Sequence, residues 1–199
     1  MIEVEQERRL ESMHWGLVPM WAESPSVGSR MINARAETIA AKNAFRPAFE
    51  ARRCLIPADG FYEWHKVGGD PKRKQPMYIH RADGAPFAFA GLWEIWRDRN
   101  DPAGGSLHSA TIITTEANEE MAPIHDRMPV ILGPTSWSQW LDPDEHDLDR
   151  LRRLLVPTGD ALAMHPVSNA VNNVRNDGPE LLDRVEPLPV EIREQGTLL

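Results

Sequence analysis

A single cysteine, Cys54, excludes an internal disulfide and fits a reducing compartment. No apolar run approaches the roughly 20 residues that a membrane-spanning helix needs. The first residues, Met1-Ile2-Glu3-Val4-Glu5-Gln6-Glu7, are acidic where a secretory signal is basic and then apolar, so the expected location is the cytoplasm. Basic charge is not in excess either. The net charge of -8 argues against indiscriminate nucleic-acid binding, which depends on Lys and Arg neutralising phosphates. Seven histidines show neither a His-Glu-x-x-His spacing nor paired Cys and His spacings, so no metal or other cofactor is expected. Internal repeats, heptads and low-complexity blocks are missing as well.

What is present is 199 residues, enough for one ordinary domain with its own core. Basic charge is local. Between Arg30 and Arg53 there are six basic residues against two acidic ones, and Lys66, Lys72, Arg73, Lys74 and Arg81 form a second group. A basic face on an acidic protein is compatible with this distribution.

The stretch from Arg53 to Trp64 organises the rest. Apolar runs flank the turn Pro57-Ala58-Asp59-Gly60, which predicts a hairpin that carries Glu63 between Tyr62 and Trp64. A carboxylate held between aromatics has its pKa raised, which suits a general acid or base. Simple alternation would instead turn Glu63 to solvent and pack its neighbours inward, and both readings stay open. Strands are also expected at Met1–Val4, Met13–Pro19, Met77–His80, Phe87–Leu92, Ser109–Thr115, Val130–Leu132 and Ala161–Pro166. Met77–His80 and Phe87–Leu92 are expected to be joined by the turn at 82–85. Helical spacing is found at Ala36–Ala44, at 116–124, at Pro134–Leu141 and at Asp147–Leu155, with a break at Pro47. The segments 67–76 and 125–129 read as loops. Many short strands with few helices predict a β-rich α+β domain.

His125 stands apart from the other histidines because it opens the loop His125-Asp126-Arg127-Met128-Pro129, where an imidazole can be held by neighbours and still meet a ligand. Cys54, His125 and Glu63 could also be written as a thiol-hydrolase triad, although a cysteine before Leu55-Ile56 suits a buried strand position. Seven tryptophans allow core packing and also stacking of unpaired bases.

Several ordered stretches together resemble the SOS response-associated peptidase (SRAP) domain family. They are Trp15-Gly16-Leu17-Val18-Pro19 with Trp21, Asn33-Ala34-Arg35-Ala36-Glu37, Arg53 through Trp64, Ile113-Thr114-Thr115-Glu116-Ala117-Asn118, His125 through Val130, and Val167-Ser168-Asn169. The resemblance implies a single domain over residues 1–199, compact and barrel-like, with mixed sheets, peripheral short helices and a basic cleft. It implies a monomeric DNA-damage-response protein that binds single-stranded DNA at abasic sites, with no membrane association. In the complete family form an N-terminal cysteine closes a thiazolidine with the opened sugar, and removal of the initiator methionine gives the self-processing peptidase activity.

Carried over by position, the resemblance implies catalytic roles for Glu63 in proton shuttling, for His125 at the opened sugar and for Asn33 beside the nucleophile. Arg35, Trp15, Trp64, Thr114 and Arg127 are implied DNA contacts. The family opens Met-Cys-Gly-Arg, whereas this chain opens Met1-Ile2-Glu3-Val4, so the segment carrying the nucleophile is expected to be missing relative to the family. Two other readings are a hydrolase working through Cys54 and a non-catalytic reader of modified or damaged DNA.

Overall fold

The computed structural model describes residues 1–4, 7–101 and 103–189. It is a β-rich α+β domain with two open sheets. The larger has β1 (Ile2–Val4), β2 (Glu7–Arg9), β3 (His14–Trp15), β4 (Asn33–Arg35), β5 (Arg53–Ala58), β8 (Phe87–Arg97), β9 (Ser106–Glu116) and β10 (Arg127–Pro129). The smaller orders β11 (Leu162–Pro166), β7 (Lys74–Arg81) and β6 (Phe61–Lys66). Three short helices, α1 (Arg46–Ala51), α2 (Pro134–Leu141) and α3 (Leu148–Arg152), lie at the periphery. The expected class and short helices are observed, but the expected barrel-like closure is replaced by sheets that stay open. No helix among the described residues is long and apolar enough to cross a membrane.

Alternation along the strands sorts two cores. Leu55, Ala90, Leu92 and Ile113 point to one face of the large sheet and pack with Phe49, Trp140 and Leu151 of the helices. Ile56, Phe89 and Ile112 point to the other face and meet Phe61, Met77 and Ile79 of the small sheet.

The two strands on either side of Asp59-Gly60 do not pair with each other. β5 pairs with β8 and β1, while β6 pairs with β7, so the expected hairpin is a corner at which the chain leaves one sheet for the other. The corner needs glycine for a steric reason, because a Cβ at Gly60 would sit 2.5 Å from the Ile79 carbonyl oxygen. The turn at 82–85 is the return corner, from β7 to β8. The helical pattern read at 36–44 is a run of turns, and the helix begins at Arg46, because proline is tolerated in a first turn and Pro47 starts the helix instead of breaking it. β7 runs through Gln75-Pro76, and β10 occupies the stretch read as a loop. The helical stretch at 116–124 is also a set of turns.

β9 is bonded along both edges. One edge holds β8 and then β10, and the other holds β3 and then β4 in parallel. Arg53, only 4% exposed, fixes the helices to this frame. Its guanidinium donates to the Phe49 and Glu50 carbonyls at the end of α1, both at 2.9 Å, and to the Trp140 (2.8 Å) and Asp142 carbonyls at the end of α2. These are carbonyls that a helix C-terminus leaves unpaired, and the negative end of each helix dipole favours the cation. Burial pushes the Arg53 pKa down, and the nearby Asp142 and Glu145 charges oppose that.

Candidate functional site

The face of β9 turned towards the small sheet carries a row of side chains. β3 sets Trp15 opposite Ala110, and β4 sets Asn33 opposite Ile112 and Arg35 opposite Thr114. Since every second residue shares a face, the three follow one another in steps of roughly 7 Å. β10 adds Arg127 opposite Glu116 on the same face. Asn33 and Arg35 are exposed while Ala34 between them is buried, so the strand offers both polar groups outward. Trp15 is 57% exposed, yet its indole N–H donates to the Ile32 carbonyl at 2.9 Å, which fixes the ring and leaves its face open. Gly16, at φ +121° and pressed against the Gly28 carbonyl, supplies the turn behind it that no side chain would fit.

The opposite wall comes from β6, the edge of the small sheet. Phe61 packs against Phe87 and Phe89, and alternation puts Glu63 and His65 on the same inner face. Glu63 is therefore not the solvent-facing residue that the simple alternation reading required. Burial raises its pKa. The positive charge available to His125 is the main opposing influence, followed by the Trp64 backbone N–H, while Asp126 adds to the rise. Glu63 and His125 thus converge. His65 Nδ1 lies 3.1 Å from the Pro123 carbonyl and ties β6 to the loop that bears His125.

His125 is exposed, and its Nδ1 accepts the Arg127 backbone N–H at 3.0 Å. That bond favours the neutral tautomer with its proton on Nε2, against the Asp126 carboxylate and the Arg127 carbonyl, which lie 3.2 and 3.3 Å from Nδ1 and favour a proton there. On the far side of β6 the Trp64 indole donates to Asn172 Oδ1 at 2.8 Å. Trp15, Ile112, Phe61 and Trp64 border a cavity of about 790 Å³ between the sheets. Because β6 is an edge strand, side chains from both its faces reach that space.

Arg127, expected as a DNA contact, is tied within the protein. It forms a two-pronged bond to Glu37, at 2.7 and 3.0 Å, and Nη2 also reaches the Thr114 carbonyl (2.8 Å) and hydroxyl (3.2 Å). Thr114 is thereby an acceptor for Arg127. Glu37 and Asn172 were not among the sequence candidates. Their partners are 90 and 108 positions away, a separation that no local pattern reveals.

Cys54 is 2% exposed, and burial pushes its thiol up to about 12, which leaves almost no thiolate at neutral pH. This removes the hydrolase reading. Alkylation of the folded protein by iodoacetamide is expected to be at least about 100-fold slower than after denaturation, and ready labelling of folded protein would contradict that burial. Among the described residues no group of three or more His, Cys, Asp or Glu side chains is placed to hold a metal ion.

A family model described as SOS response associated peptidase (SRAP) matches residues 1–174. Over 176 residues the chain is 48% identical to abasic site processing protein YoqW of Bacillus subtilis (strain 168), covering 88% of this chain and 76% of that protein. It is 34% identical to abasic site processing protein YedK of Escherichia coli (strain K12), covering 92% and 78% respectively. A crystal structure of a Bacteroides thetaiotaomicron protein superposes with a TM-score of 0.79 at 29% identity, covering 93% of this chain and 80% of that one. With its fold, its ordered motifs and these relatives in agreement, the chain belongs to the SRAP family.

Proposed function

We propose that this protein acts on DNA damage by binding single-stranded DNA at abasic sites, and that Glu63 and His125 move protons at the ring-opened sugar. The observation that carries the reading is a half-buried carboxyl under the charge influence of an imidazole, on a strand whose Trp64 borders the same cavity as the open Trp15 indole. Several relatives named as abasic site processing proteins support it.

The chemistry matches the groups. A sugar without its base opens to an aldehyde at C1′. Attack by an amine needs a group that takes the amine's proton and returns one to the departing hydroxyl. A carboxyl whose pKa is raised by burial can hold a proton nearer neutral pH than an ordinary glutamate. His125 offers Nε2–H to an oxygen of the opened sugar, and Asn33 offers its amide from the adjacent row. The family's N-terminal cysteine is the nucleophile that the SRAP resemblance implies for such a site, and the proposal assigns crosslinking to the family form that carries it and abasic-site binding to this chain.

Trp15 and Trp64 stack on bases flanking the gap, and Arg35 binds a phosphate. Thr114 and Arg127 act indirectly, by bracing the row. Binding as a monomer, in the cytoplasm and on the nucleoid, completes the reading.

Equilibrium binding to a single strand with one tetrahydrofuran abasic analogue, to the intact strand and to a duplex tests this. The abasic strand is expected to bind most tightly, with affinity falling steeply as salt rises. Trp15→Ala is expected to weaken it by roughly 5- to 150-fold, the equivalent of about 1–3 kcal/mol of stacking. Equal affinity for the intact strand would defeat the abasic assignment.

A further inference from the structure

We infer that Glu37 is a positioning residue for His125: by clamping the Arg127 side chain it holds the Arg127 backbone N–H on His125 Nδ1. The inference rests on the reading of His125 as a proton-transfer group. It concerns a residue outside the row and the acid–base pair.

Glu37 follows β4, and its two carboxylate oxygens receive Arg127 Nη1 and Nη2 at 2.7 and 3.0 Å. The same guanidinium reaches the Thr114 carbonyl on β9 at 2.8 Å. Three chain segments, the end of β4, β9 and β10, therefore meet on one side chain. This is unlike an isolated surface pair, which contributes little. The contact is a two-pronged fork, the Arg127 side chain is only 21% exposed, and its Nε is buried with no hydrogen-bond partner, so the η nitrogens alone hold the group. The bond from Arg127 holds the Glu37 carboxyl below its ordinary pKa, which keeps the clamp charged across neutral pH.

Three neighbours compete for His125 Nδ1. The Arg127 backbone N–H points at it from 3.0 Å and requires a bare nitrogen. The Asp126 carboxylate at 3.2 Å and the Arg127 carbonyl at 3.3 Å require a protonated one. Glu63 from β6 also faces this imidazole. His65 meets the same loop at Pro123, and Lys74 acts on Glu63. With Arg127 clamped, its N–H prevails and the mobile proton sits on Nε2. With the clamp gone the backbone at Arg127 is held only by its pairing with Glu116 at the end of β10 and by the bond from the Ala117 N–H to the Asp126 carbonyl. Its N–H then holds Nδ1 less firmly, Asp126 draws a proton to Nδ1, and Nε2 loses its hydrogen in the neutral ring.

The test reads the ring directly. Imidazole nitrogens of ¹⁵N-histidine-labelled protein are followed by NMR from pH 5 to 9 in the wild type, Glu37→Gln, Glu37→Ala and Arg127→Lys, with His125 assigned by its loss in His125→Gln. Nδ1 in the wild type is expected to behave as a bare acceptor. In Glu37→Ala it is expected to shift towards the protonated form, with Glu37→Gln, which retains one acceptor oxygen, in between. Glu37→Gln is isosteric and serves as the decisive variant if Glu37→Ala does not fold.

In parallel, adduct formation with a natural abasic strand, in a chain given the family's Met-Cys-Gly-Arg opening, is expected to fall roughly 10-fold in Glu37→Gln, a fraction of what complete proton transfer contributes. Affinity for the tetrahydrofuran strand is expected to stay within about 2-fold, because a positioning role leaves uniform binding unchanged. Unaltered Nδ1 behaviour in a folded Glu37 variant overturns the inference, including when activity falls together with thermal stability. Altered nitrogens in a protein whose wild type shows no preference for abasic strands would keep the clamp and remove the functional reading.

Discussion

In a chain given the family's Met-Cys-Gly-Arg opening ahead of Met1, which supplies the nucleophile, Glu63→Gln is expected to slow adduct formation with a single strand carrying a natural abasic site by at least about 100-fold, measured as a denaturation-resistant band, while affinity for the tetrahydrofuran strand is retained. The amide keeps the size of the side chain and one acceptor but cannot gain or release a proton. Protonation of the attacking amine lowers both rates as pH falls, and the wild type should show in addition a decline through the raised Glu63 pKa that Glu63→Gln lacks.

The same substitution is expected to stabilise the fold at neutral pH. A carboxyl whose pKa is raised by folding binds its proton more tightly in the native state. Ionising it therefore costs stability, and that cost grows as pH rises from the unfolded carboxylate range through the native pKa. Melting curves of the two proteins should converge in acid and separate towards neutrality, with the variant higher. A variant that melts lower than the wild type at pH 7, with full activity on abasic strands, would show that Glu63 is a structural group. Abasic binding with no adduct even when the family's Met-Cys-Gly-Arg opening is supplied would leave a reader without proton chemistry.

Arg53→Met is expected to lower stability by about 4 kcal/mol or more, seen as a drop of roughly 8–16 °C in Tm. Methionine follows the path of the arginine stem and fills its volume, but it strands the carbonyls of Phe49, Glu50, Trp140 and Asp142 at two helix ends away from water. Arg53→Lys retains the charge and loses the fork, so it should fall between the two. A loss under about 1 kcal/mol in Arg53→Met would mean that water or a shift of the helices satisfies those carbonyls.

Arg53 also shows where the sequence is legible and where it is not. Its strand was readable because β-branched and apolar residues border a Pro-Ala-Asp-Gly corner. Its bonds to Trp140 and Asp142 were not, since they join positions 87 and 89 apart. The corner was readable as a turn, but not as a crossing between sheets, because pairing partners are set by tertiary packing and not by the turn. β10 escaped notice for a related reason. Arg127–Pro129 is too short to alternate and is a strand only because β9 offers it an open edge.

At the candidate site, Trp15, Asn33, Arg35, Glu63 and His125 were named through the resemblance of their stretches to the SRAP motifs. The common row of Trp15, Asn33 and Arg35 follows from parallel pairing of β3 and β4 on β9, which leaves no local signal. Arg127 was carried over as a DNA contact, and its pairing with Glu37 was not legible because the two lie 90 positions apart.

The double bonding of β9 bears on amide hydrogen exchange. Amides held at the centre of a sheet open only with the whole molecule, so residues 109–115 should be the last to exchange, and their protection factors should report the global unfolding free energy. Trp15, Asn33 and Arg35, the proposed contacts of the row, sit on strands bonded directly to this slow-exchanging spine, so whatever yielding accompanies a bound strand there has to come from the loops around it.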